Sequence, residues 1–470
     1  MRMQMRRLAA FILFSASCWA QCNSPATYTV GTGKQYPATT GIADALAAIS
    51  AACGYHSPFG AAQTISVYAT GGPYSAPGTT WPLLPTVANP LLITAAPGES
   101  PVINCGGSTA YVLQIEGPYH TFTGFEVTAC GGIYSDYNVG GATTISYNYI
   151  HDMAGSSGAI NPNGPQTNWW VHHNRIVNVP TGINVGGNAL IEYNEVGPTT
   201  GSSATQIACG SEGVSCTERN NYVYGAGAQP GSAIWNYSAA SVYGNVSQSN
   251  RYGNVVETTS SGDTVTASHN IMAYPSNFGC HCEGGSGACW ESVDHALCIG
   301  VSTSAGGIPV VLGSTAASSL SFTSSISWAD STPNLAPVYN VDANVGTIYS
   351  DYNVFNKVSG LNTAISTGPV LYATLANWQA TGNDTHTVQV DPRFVGSVGL
   401  LNTSARVFLE CPTIECRLGK IRHNYTPTNL ALKGAGCAWN GTTCVPDHSD
   451  IGPVPVTVYD APGMTGGGVY

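Results

Sequence analysis

A short phrase recurs along this chain: an apolar residue, two further residues, an asparagine and another short apolar segment. Its best copies are centred on Asn148, Asn174 and Asn194, which lie 26 and 20 residues apart, and weaker copies place Asn245 and Asn270 25 residues apart. A period of this length, with short apolar runs, is typical of a β-solenoid. Unequal steps are compatible with that fold because insertions are accommodated in its outer loops.

One repeat can be interpreted as three short strands separated by turns. In the unit that begins at Val171, Asn174 marks a turn and residues 182–185 form the third strand, with Ile183 facing the core and Asn184 facing outward. Stacked about 4.8 Å apart, such units form parallel sheets around an apolar core. An asparagine at the same turn can hydrogen-bond to its neighbours above and below, and it tolerates a left-handed backbone there.

We therefore predict an all-β fold, a right-handed parallel β-helix of roughly nine to eleven rungs that forms one folding unit. An antiparallel sandwich would show regular two-residue hairpin turns, and a propeller would repeat every 40–50 residues or so. Neither pattern fits the observed spacing.

The chain begins with features of an export signal. Arg2, Arg6 and Arg7 precede a short apolar run and a small-residue end, which predicts a signal peptide over 1–20 that is too short to span a bilayer. No later stretch is long and apolar enough for a membrane span. We expect a monomer that is secreted, periplasmic or attached to the cell surface.

Cysteine usage agrees with export. Of 15 cysteines, all but Cys18 lie outside the predicted signal, which leaves an even number for an oxidising compartment. Three closely spaced pairs look like local staples, although spacing alone does not determine the pairing: Cys209/Cys216, Cys411/Cys416 and Cys437/Cys444.

Charge is sparse and acidic. Only 8% of residues are charged, and without the three arginines of the predicted signal the chain carries 11 basic and 25 acidic residues, a net charge of −14. Such a surface repels nucleic acid and anionic membranes. It also disfavours strongly anionic polymers, so a polysaccharide or surface glycan with little or no charge is the partner that suits it best.

Four regions follow the signal. Residues 21–62 form an N-terminal cap, in which a helix from Thr40 to Ala52, ended by Gly54, covers the exposed strand edges of the pole. Residues 63–356 form the β-helix, interrupted by a cysteine-rich loop insert at 275–296. Residues 357–470 form an irregular, disulfide-stapled C-terminal cap over the other pole.

Several phrases outside the repeat point to a family. They lie at 93–103 (ITAAPGESPVI), 378–386 (WQATGNDTH), 391–394 (DPRF) and 450–452 (DIG). Together with the rungs, they resemble secreted bacterial right-handed parallel β-helix proteins of the pectate-lyase-like (pectin lyase fold) superfamily, over nearly the whole mature chain. That superfamily holds lyases, hydrolases, epimerases and non-catalytic surface proteins, so the resemblance implies the fold and leaves the activity open.

The resemblance implies a glycan groove along one outer sheet. In the repeat register, the outward residues of the third strand are Tyr134, Asn161, Asn184, Gln206 and Trp235. Amides can bind sugar hydroxyls and aromatic rings can stack on pyranose rings. The alternative is that these are ordinary solvent-facing sheet residues.

The candidate catalytic residues surround the cysteine-rich segment. Between residues 280 and 298 lie three carboxylates, two histidines, one tryptophan and four cysteines. A glycoside hydrolase needs two carboxylates about 5–5.5 Å or about 6.5–9.5 Å apart. The candidates for such a site are Glu257, Glu291, Asp294, Arg251 and His295. The alternative is a disulfide-pinned loop whose charges only solvate it.

Zinc binding and uronide lyase chemistry fit the residues of this chain less well. Zinc ligation would need reduced cysteines, which an exported chain does not favour, so we expect no metal and no cofactor. A uronide lyase needs a Lys or Arg base, and few basic residues lie within the rungs. The pairs His151–Asp152 and His172–His173 also look catalytic, but consecutive strand residues point to opposite faces, which favours structural roles.

The functional hypothesis is an exported carbohydrate-active or glycan-binding β-helix protein. A glycoside hydrolase acting on a neutral or weakly charged polysaccharide fits the acidic segment and the groove residues. The first alternative is a non-catalytic cell-surface or matrix β-helix protein, favoured by the sparse charge. The second alternative is a uronide polysaccharide lyase.

Overall fold

The computed structural model describes most of the chain after the predicted signal peptide. The described residues are 22–54, 56–80, 83–135, 141–155, 158–162, 167–201, 205–210, 214–225, 232–248, 252–256, 264–273, 278–282, 290–301, 308–312, 319–330, 339–341, 347–357, 365–367, 370–372, 374–395, 411–440 and 443–455. The predicted signal, 1–20, lies outside them. The chain divides into a first unit, 1–201, and a second unit, 202–470, whereas the sequence predicted a single folding unit.

The described part of the first unit consists of strands and one helix. The strands are β1 (Ala26–Val30), β2 (Gln63–Val67), β3 (Gly78–Thr79), β4 (Leu91–Ala95), β5 (Val102–Asn104), β6 (Leu113–Gln114), β7 (His120–Thr123), β8 (Glu126–Thr128), β9 (Ile133–Ser135), β10 (Gly141–Ser146), β11 (Tyr149–His151), β12 (Gly158–Pro162), β13 (Thr167–His172), β14 (Arg175–Val177), β15 (Thr181–Val185), β16 (Ala189–Glu192) and β17 (Glu195–Val196). The helix is α1 (Gly41–Cys53).

The described part of the second unit continues with strands and two short helices. The strands are β18 (Ile207–Cys209), β19 (Cys216–Arg219), β20 (Tyr222–Tyr224), β21 (Ser232–Asn236), β22 (Ala240–Tyr243), β23 (Val246–Gln248), β24 (Tyr252–Val256), β25 (Thr264–Ser268), β26 (Ile271–Ala273), β27 (Phe278–Cys282), β28 (Trp290–Asp294), β29 (Leu297–Val301), β30 (Ile308–Leu312), β31 (Ser319–Thr323), β32 (Ile326–Asp330), β33 (Tyr339–Val341), β34 (Thr347–Asp351), β35 (Val354–Lys357), β36 (Ile365–Thr367), β37 (Val370–Tyr372), β38 (Cys437–Trp439) and β39 (Cys444–Pro446). The helices are α2 (Leu375–Gln379) and α3 (Ile414–Asn424).

Three sheets of parallel strands recur in each unit, and in the second unit the third sheet ends with an antiparallel pair, β36–β37. In the first unit the first sheet runs β1-β2-β4-β7-β10-β13-β16, the second β5-β8-β11-β14-β17 and the third β3-β6-β9-β12-β15. In the second unit the corresponding orders are β19-β22-β25-β28-β31-β34, then β20-β23-β26-β29-β32-β35, then β18-β21-β24-β27-β30-β33-β36-β37. From β5 onward in the first unit, and throughout these sheets up to β36 in the second, each strand pairs with the one that follows three places later in the chain. This confirms the all-β, parallel β-helix prediction.

Inward-facing aliphatic side chains stack from turn to turn. Ile145, Val171 and Ile191 are directly paired along the first sheet and are fully buried. Each buried side chain of this size contributes about 1.5–3 kcal/mol of burial free energy. The apolar positions of the repeat therefore form the core.

The asparagine of the repeat forms a buried ladder in the first unit. Asn148 donates its side-chain N–H to Asn174 Oδ1 at 3.0 Å, and Asn174 donates in the same way to Asn194 Oδ1 at 3.0 Å. The backbone N–H groups of Asn148 and Asn174 donate to the same oxygens. Each amide thus joins successive turns at one corner, as the sequence predicted.

The second unit contains its own asparagine ladder. Near the C-terminal end of that unit, the corner asparagine bonds to a carboxylate instead of another asparagine. Asn221 donates to Asn245 Oδ1 at 3.0 Å, and Asn245 donates to Asn270 Oδ1 at 3.2 Å. Near the C-terminal end, Asn353 donates to the buried carboxylate of Asp384 at 3.1 Å. Trp378 of α2 also donates to Asp384, at 2.6 Å, so α2 helps to terminate the ladder.

The left-handed residue of each corner is not the asparagine. In the first unit Tyr147, His173 and Tyr193, which directly precede the ladder asparagines, have φ values of 55°, 55° and 52°. Their rings stack, at 4.7 Å for Tyr147–His173 and 5.2 Å for His173–Tyr193. The asparagine forms the ladder hydrogen bonds, whereas the residue before it adopts the left-handed backbone that turns the chain. The ring of that preceding residue projects outward at the corner.

The N-terminal helix agrees with its sequence signals. It begins after Thr40 and ends before Gly54, and it buries Ile42, Leu46 and Ile49 on one face. A disulfide between Cys22 and Cys53 ties its last turn to the start of the described chain. Strand β1 pairs in parallel with β2, so the first sheet begins before residue 63, within the segment predicted as the cap.

The C-terminal segment differs in position from the predicted pole cap. Gln248 donates to the Tyr425 hydroxyl at 3.1 Å, Trp328 packs against Phe394 at 5.0 Å between ring centroids, and Ile326 lies under Gly452. These partners lie on one face of the second sheet of the second unit, where the paired residues Val246, Ile271, Leu297 and Val354 are buried. The segment therefore covers an apolar outer face. Its predicted staples Cys411–Cys416 and Cys437–Cys444 are present.

Replacing one ladder asparagine should destabilise the first unit. Asn174→Ala removes the acceptor of Asn148 and leaves buried N–H groups unpaired, each at a cost of about 1–3 kcal/mol. We expect the free energy of unfolding in urea, followed by circular dichroism, to fall by about 3 kcal/mol. The control is Asn168→Ala, at an exposed position of β13, which should change it by less than about 0.5 kcal/mol. Equal losses in both variants would contradict a stabilising role for the ladder.

Candidate functional site

Polar and aromatic side chains form a row on the outer face of the third sheet in the first unit. The strand register pairs Gln114 with Tyr134 and Tyr134 with Asn161, and the pairing of Ile160 with Ile183 places Asn184 next to Asn161. Each member of the row is half-buried. Since adjacent strands lie about 4.8 Å apart, the row places one such side chain about every 4.8 Å across the sheet. Three predicted groove residues, Tyr134, Asn161 and Asn184, are therefore brought together.

Neighbouring side chains hold this row in place. Tyr111 stacks on Tyr134 with ring centroids 4.2 Å apart and an angle of 8° between the rings. The Gln114 side-chain amide donates to the Glu116 carboxylate. These contacts present an aromatic face, amides and one carboxylate, which suits hydroxyl-rich ligands.

Asn161 carries an unused hydrogen-bonding group. Its side-chain oxygen is buried and accepts no hydrogen bond within the part of the chain that the structure describes. Leaving a buried acceptor unpaired costs about 1–3 kcal/mol. A ligand hydroxyl that reached this oxygen would recover that cost.

Of the two groove residues predicted in the second unit, Trp235 faces outward and Gln206 is buried. Trp235 lies on β21 at an outward position, opposite Ala208, and its ring stacks on Tyr237 at 5.7 Å. Gln206 is buried and donates to the backbone oxygen of Tyr224 at 2.6 Å, two positions away from the outward residue Ala208. Gln206 is thus a corner residue of the core, and its assignment to the row was wrong by two positions.

The cysteine-rich segment 275–296 also differs from the predicted loop insert. Residues 278–282 form β27, which pairs with β24 and β30 in the third sheet, and residues 290–294 form β28 in the first sheet. Phe278 pairs with Tyr252, 26 residues earlier, which is one full repeat. Within this segment, the described residues 278–282 and 290–294 are therefore regular strands of the β-helix.

The predicted catalytic carboxylates Glu291 and Asp294 lie on opposite faces of β28. Glu291 pairs with the buried residues Val265 and Leu320 and is 4% exposed, so it faces the core. Asp294, three positions later, has 27% of its side chain exposed. Because side chains alternate along a strand, these two carboxylates cannot act on one glycosidic bond. Glu257 and Arg251 lie outside the described residues.

At the ends of two strands, the side chains of two consecutive residues are in contact. The sequence predicted that they would point to opposite faces. His151 Nδ1 lies 2.8 Å from Asp152 Oδ2, and His172 Nδ1 lies 2.9 Å from His173 Nδ1. Asp152 and His173 have φ values of 50° and 55°. The second residue of each pair has left the strand, and its left-handed backbone turns its side chain back beside the first. Treating these pairs as strand residues was therefore wrong.

The first sheet of the first unit carries an aromatic patch on its outer face. Trp170 is 43% exposed, stacks on His172 at 4.2 Å and donates its indole N–H to Glu192 at 2.8 Å. Burial, helped by the neighbouring His173 and opposed by Glu192, lowers the pKa of His172 to about 4. His172 is thus neutral at physiological pH and contributes an aromatic surface rather than a charge.

The predicted site residue His295 lies beside Asp294 and also contacts Ser449, which no sequence motif singled out. His295 Nε2 lies 2.9 Å from the Ser449 hydroxyl, and His295 Nδ1 lies 2.8 Å from Asp294 Oδ2, although the carboxylate is out of line with a ring N–H. Thr323 donates to the other oxygen of Asp294 at 3.1 Å. Ser449 is 154 residues from His295, so no local motif could reveal the contact.

A carboxyl group is enclosed in the core of the second unit. Glu218 pairs with the inward-facing Val242 and is fully buried. Burial raises the pKa of Glu218 to about 8, and the Asn236 amide opposes the rise. Near neutral pH this side chain is therefore largely protonated.

Known proteins give no further guidance to the site. No family model matches this chain, and no curated protein sequence matches it. Within the described ranges, no group of three or more His, Cys, Asp or Glu residues is placed to hold a metal ion. Among the helices that the structure describes, none is long and apolar enough to cross a membrane.

The buried carboxyl group predicts a pH-dependent stability. The pKa of Glu218 is about 8 in the folded protein, against an ordinary value of 4.5, so the free energy of unfolding falls as pH rises from about 4.5 to about 8. At about 1.4 kcal/mol per pKa unit, the loss is roughly 5 kcal/mol. Glu218→Gln should therefore raise the free energy of unfolding at pH 9 by several kcal/mol more than at pH 5.

Urea denaturation at the two pH values measures this difference. Glu415→Gln, at an exposed position of α3, serves as the control and should show little pH-dependent gain. A Glu218→Gln effect of equal size at pH 5 and pH 9 would contradict the raised pKa.

Proposed function

We propose that this chain is an exported β-helix protein that binds a neutral or weakly charged polysaccharide along the third sheet of its first unit. The observation that carries the proposal is the outward row Gln114–Tyr134–Asn161–Asn184. One aromatic face and three amides at the spacing of successive strands match the rings and hydroxyls of an extended glycan. The net charge of −11 over the whole chain argues against a strongly anionic polymer.

Export and family membership are part of the same proposal. The disulfides Cys22–Cys53, Cys105–Cys130 and Cys209–Cys216 are typical of proteins that fold in an oxidising compartment. The signal-like segment 1–20 is consistent with that environment. The parallel β-helix is the architecture of the pectate-lyase-like superfamily, which the sequence phrases resemble, and glycan binding is common on that scaffold.

Binding is favoured over hydrolysis. A glycosidase needs two carboxylates that face one bond, and Glu291 faces the core while Asp294 is held by Thr323 and His295. A hydrolase would need carboxylates other than this pair, and Glu257 is the remaining carboxylate that the sequence proposed. Reducing-end release from neutral polysaccharides, absent in Glu257→Gln, would establish that alternative. A uronide lyase would instead give an unsaturated product that absorbs in the ultraviolet.

Removing the amides of the row should weaken binding. Each ligand hydrogen bond contributes about 1 kcal/mol, so Asn161→Ala and Asn184→Ala are each expected to raise Kd roughly fivefold and the double variant more than tenfold. Affinity electrophoresis in gels that contain neutral polysaccharides identifies the ligand, and calorimetry then gives the Kd values.

Two matched variants decide the location of the site. Asn168→Ala removes the same type of side chain from the exposed face of the first sheet and should bind as the unmodified protein does. Trp170→Ala tests the exposed aromatic patch. Loss of binding in Trp170→Ala with no effect of Asn161→Ala would move the site to the first sheet and refute the row, and failure to bind any polysaccharide would refute the proposal.

A further inference from the structure

The second unit brings three side chains of an acyl-transfer site into contact: a hydroxyl, an imidazole and a carboxylate. The Ser449 hydroxyl meets His295 Nε2 at 2.9 Å, and the Asp294 carboxylate meets His295 Nδ1 at 2.8 Å. In serine hydrolases the base contacts the nucleophile through one ring nitrogen and the orienting carboxylate through the other. We propose that Ser449, His295 and Asp294 form a serine esterase site for small carboxylic esters.

The imidazole is held on several sides. His269 stacks on His295 with ring centroids 5.0 Å apart and an angle of 4° between the rings. Thr323 fixes Asp294, and the His295 backbone N–H donates to the Thr323 carbonyl at 3.2 Å. His295 has a φ of 49°, a left-handed conformation that is unfavourable for a residue with a side chain. That backbone turns the ring back toward Asp294, its neighbour in the chain.

The nucleophile is fixed by its own turn. The Ser449 backbone N–H donates to Asp447 Oδ1 at 2.9 Å, and the Ser449 carbonyl accepts from Gly436 at 2.7 Å. A side chain at Gly436 would collide with the Ser449 hydroxyl, so glycine keeps that approach open. Because Ser449 is half-buried, the site suits a small acyl group such as acetyl.

The reaction follows from these contacts. Ser449 Oγ adds to the ester carbonyl carbon while His295 Nε2 takes the hydroxyl proton. The bond from that carbon to the alcohol oxygen breaks, and the alcohol leaves with the proton from His295. Water then adds to the acyl group on Ser449, gives one proton to His295, and the acid departs as Ser449 recovers its proton. Asp294 orients the imidazole and stabilises its charged form, and the off-line approach of the carboxylate is common before a substrate is bound.

A covalent probe tests the proposal on the full mature chain. A fluorophosphonate should add to the peptide that contains Ser449, as shown by mass spectrometry, and p-nitrophenyl acetate should be hydrolysed at least about 100-fold faster than by Ser449→Ala. Asp294→Asn should lower kcat more than it changes KM. The exposed Ser108 should remain unlabelled, and Ser108→Ala should hydrolyse the ester at the unmodified rate.

The outcomes separate catalysis from a merely structural contact. If the unmodified protein is not labelled at Ser449 and hydrolyses the ester no faster than Ser449→Ala, the contact only ties the C-terminal segment to the β-helix and the proposal is overturned. Labelling of the unmodified protein decides the question even if Ser449→Ala does not fold. Neither readout depends on polysaccharide binding by the first unit.

Discussion

The side-chain amide ladder is the interaction on which the regularity of each unit depends. A parallel pair of strands can slip in register, and slippage by one residue would exchange core and surface side chains. Each ladder asparagine bonds both to the next asparagine and to backbone groups of neighbouring turns, as Asn174 does with Asn194 and the Ile145 carbonyl. A slipped register would leave these buried amides unpaired, so the ladder fixes the register and the apolar core follows from it.

The same corner determines where functional side chains can meet. Because the residue before the asparagine adopts a left-handed backbone, it turns its side chain back toward the end of the preceding strand. His172 and His173 meet in this way before Asn174, and Asp294 and His295 meet at an equivalent corner, where Ala296 takes the place of the asparagine. At these two corners consecutive side chains are in contact, and at one of them another segment adds a third partner, because Ser449 contacts His295.

The outer faces of the sheets carry different kinds of side chain. In the first unit, the third sheet presents amides and a stacked tyrosine pair to the exterior, whereas the first sheet presents Trp170 and neutral His172. In the second unit, the outer face of the second sheet is apolar and is covered by the segment that contains Tyr425 and Phe394. A repetitive backbone thus carries a polar outer face in one unit and, in the other, an apolar outer face that is covered by its own chain.

The sequence by itself determined the period, the parallel β-helix, the ladder asparagines, helix α1 and the register that groups Tyr134, Asn161 and Asn184. These depend on local periodicity and on side-chain alternation, which are written in consecutive residues. Tertiary structure alone decided that Gln206 and Glu291 face inward, that 278–282 and 290–294 form regular strands, and that Ser449 reaches His295. Those outcomes depend on backbone dihedral angles at single corner residues and on contacts between residues far apart in the chain, and neither has a local signature.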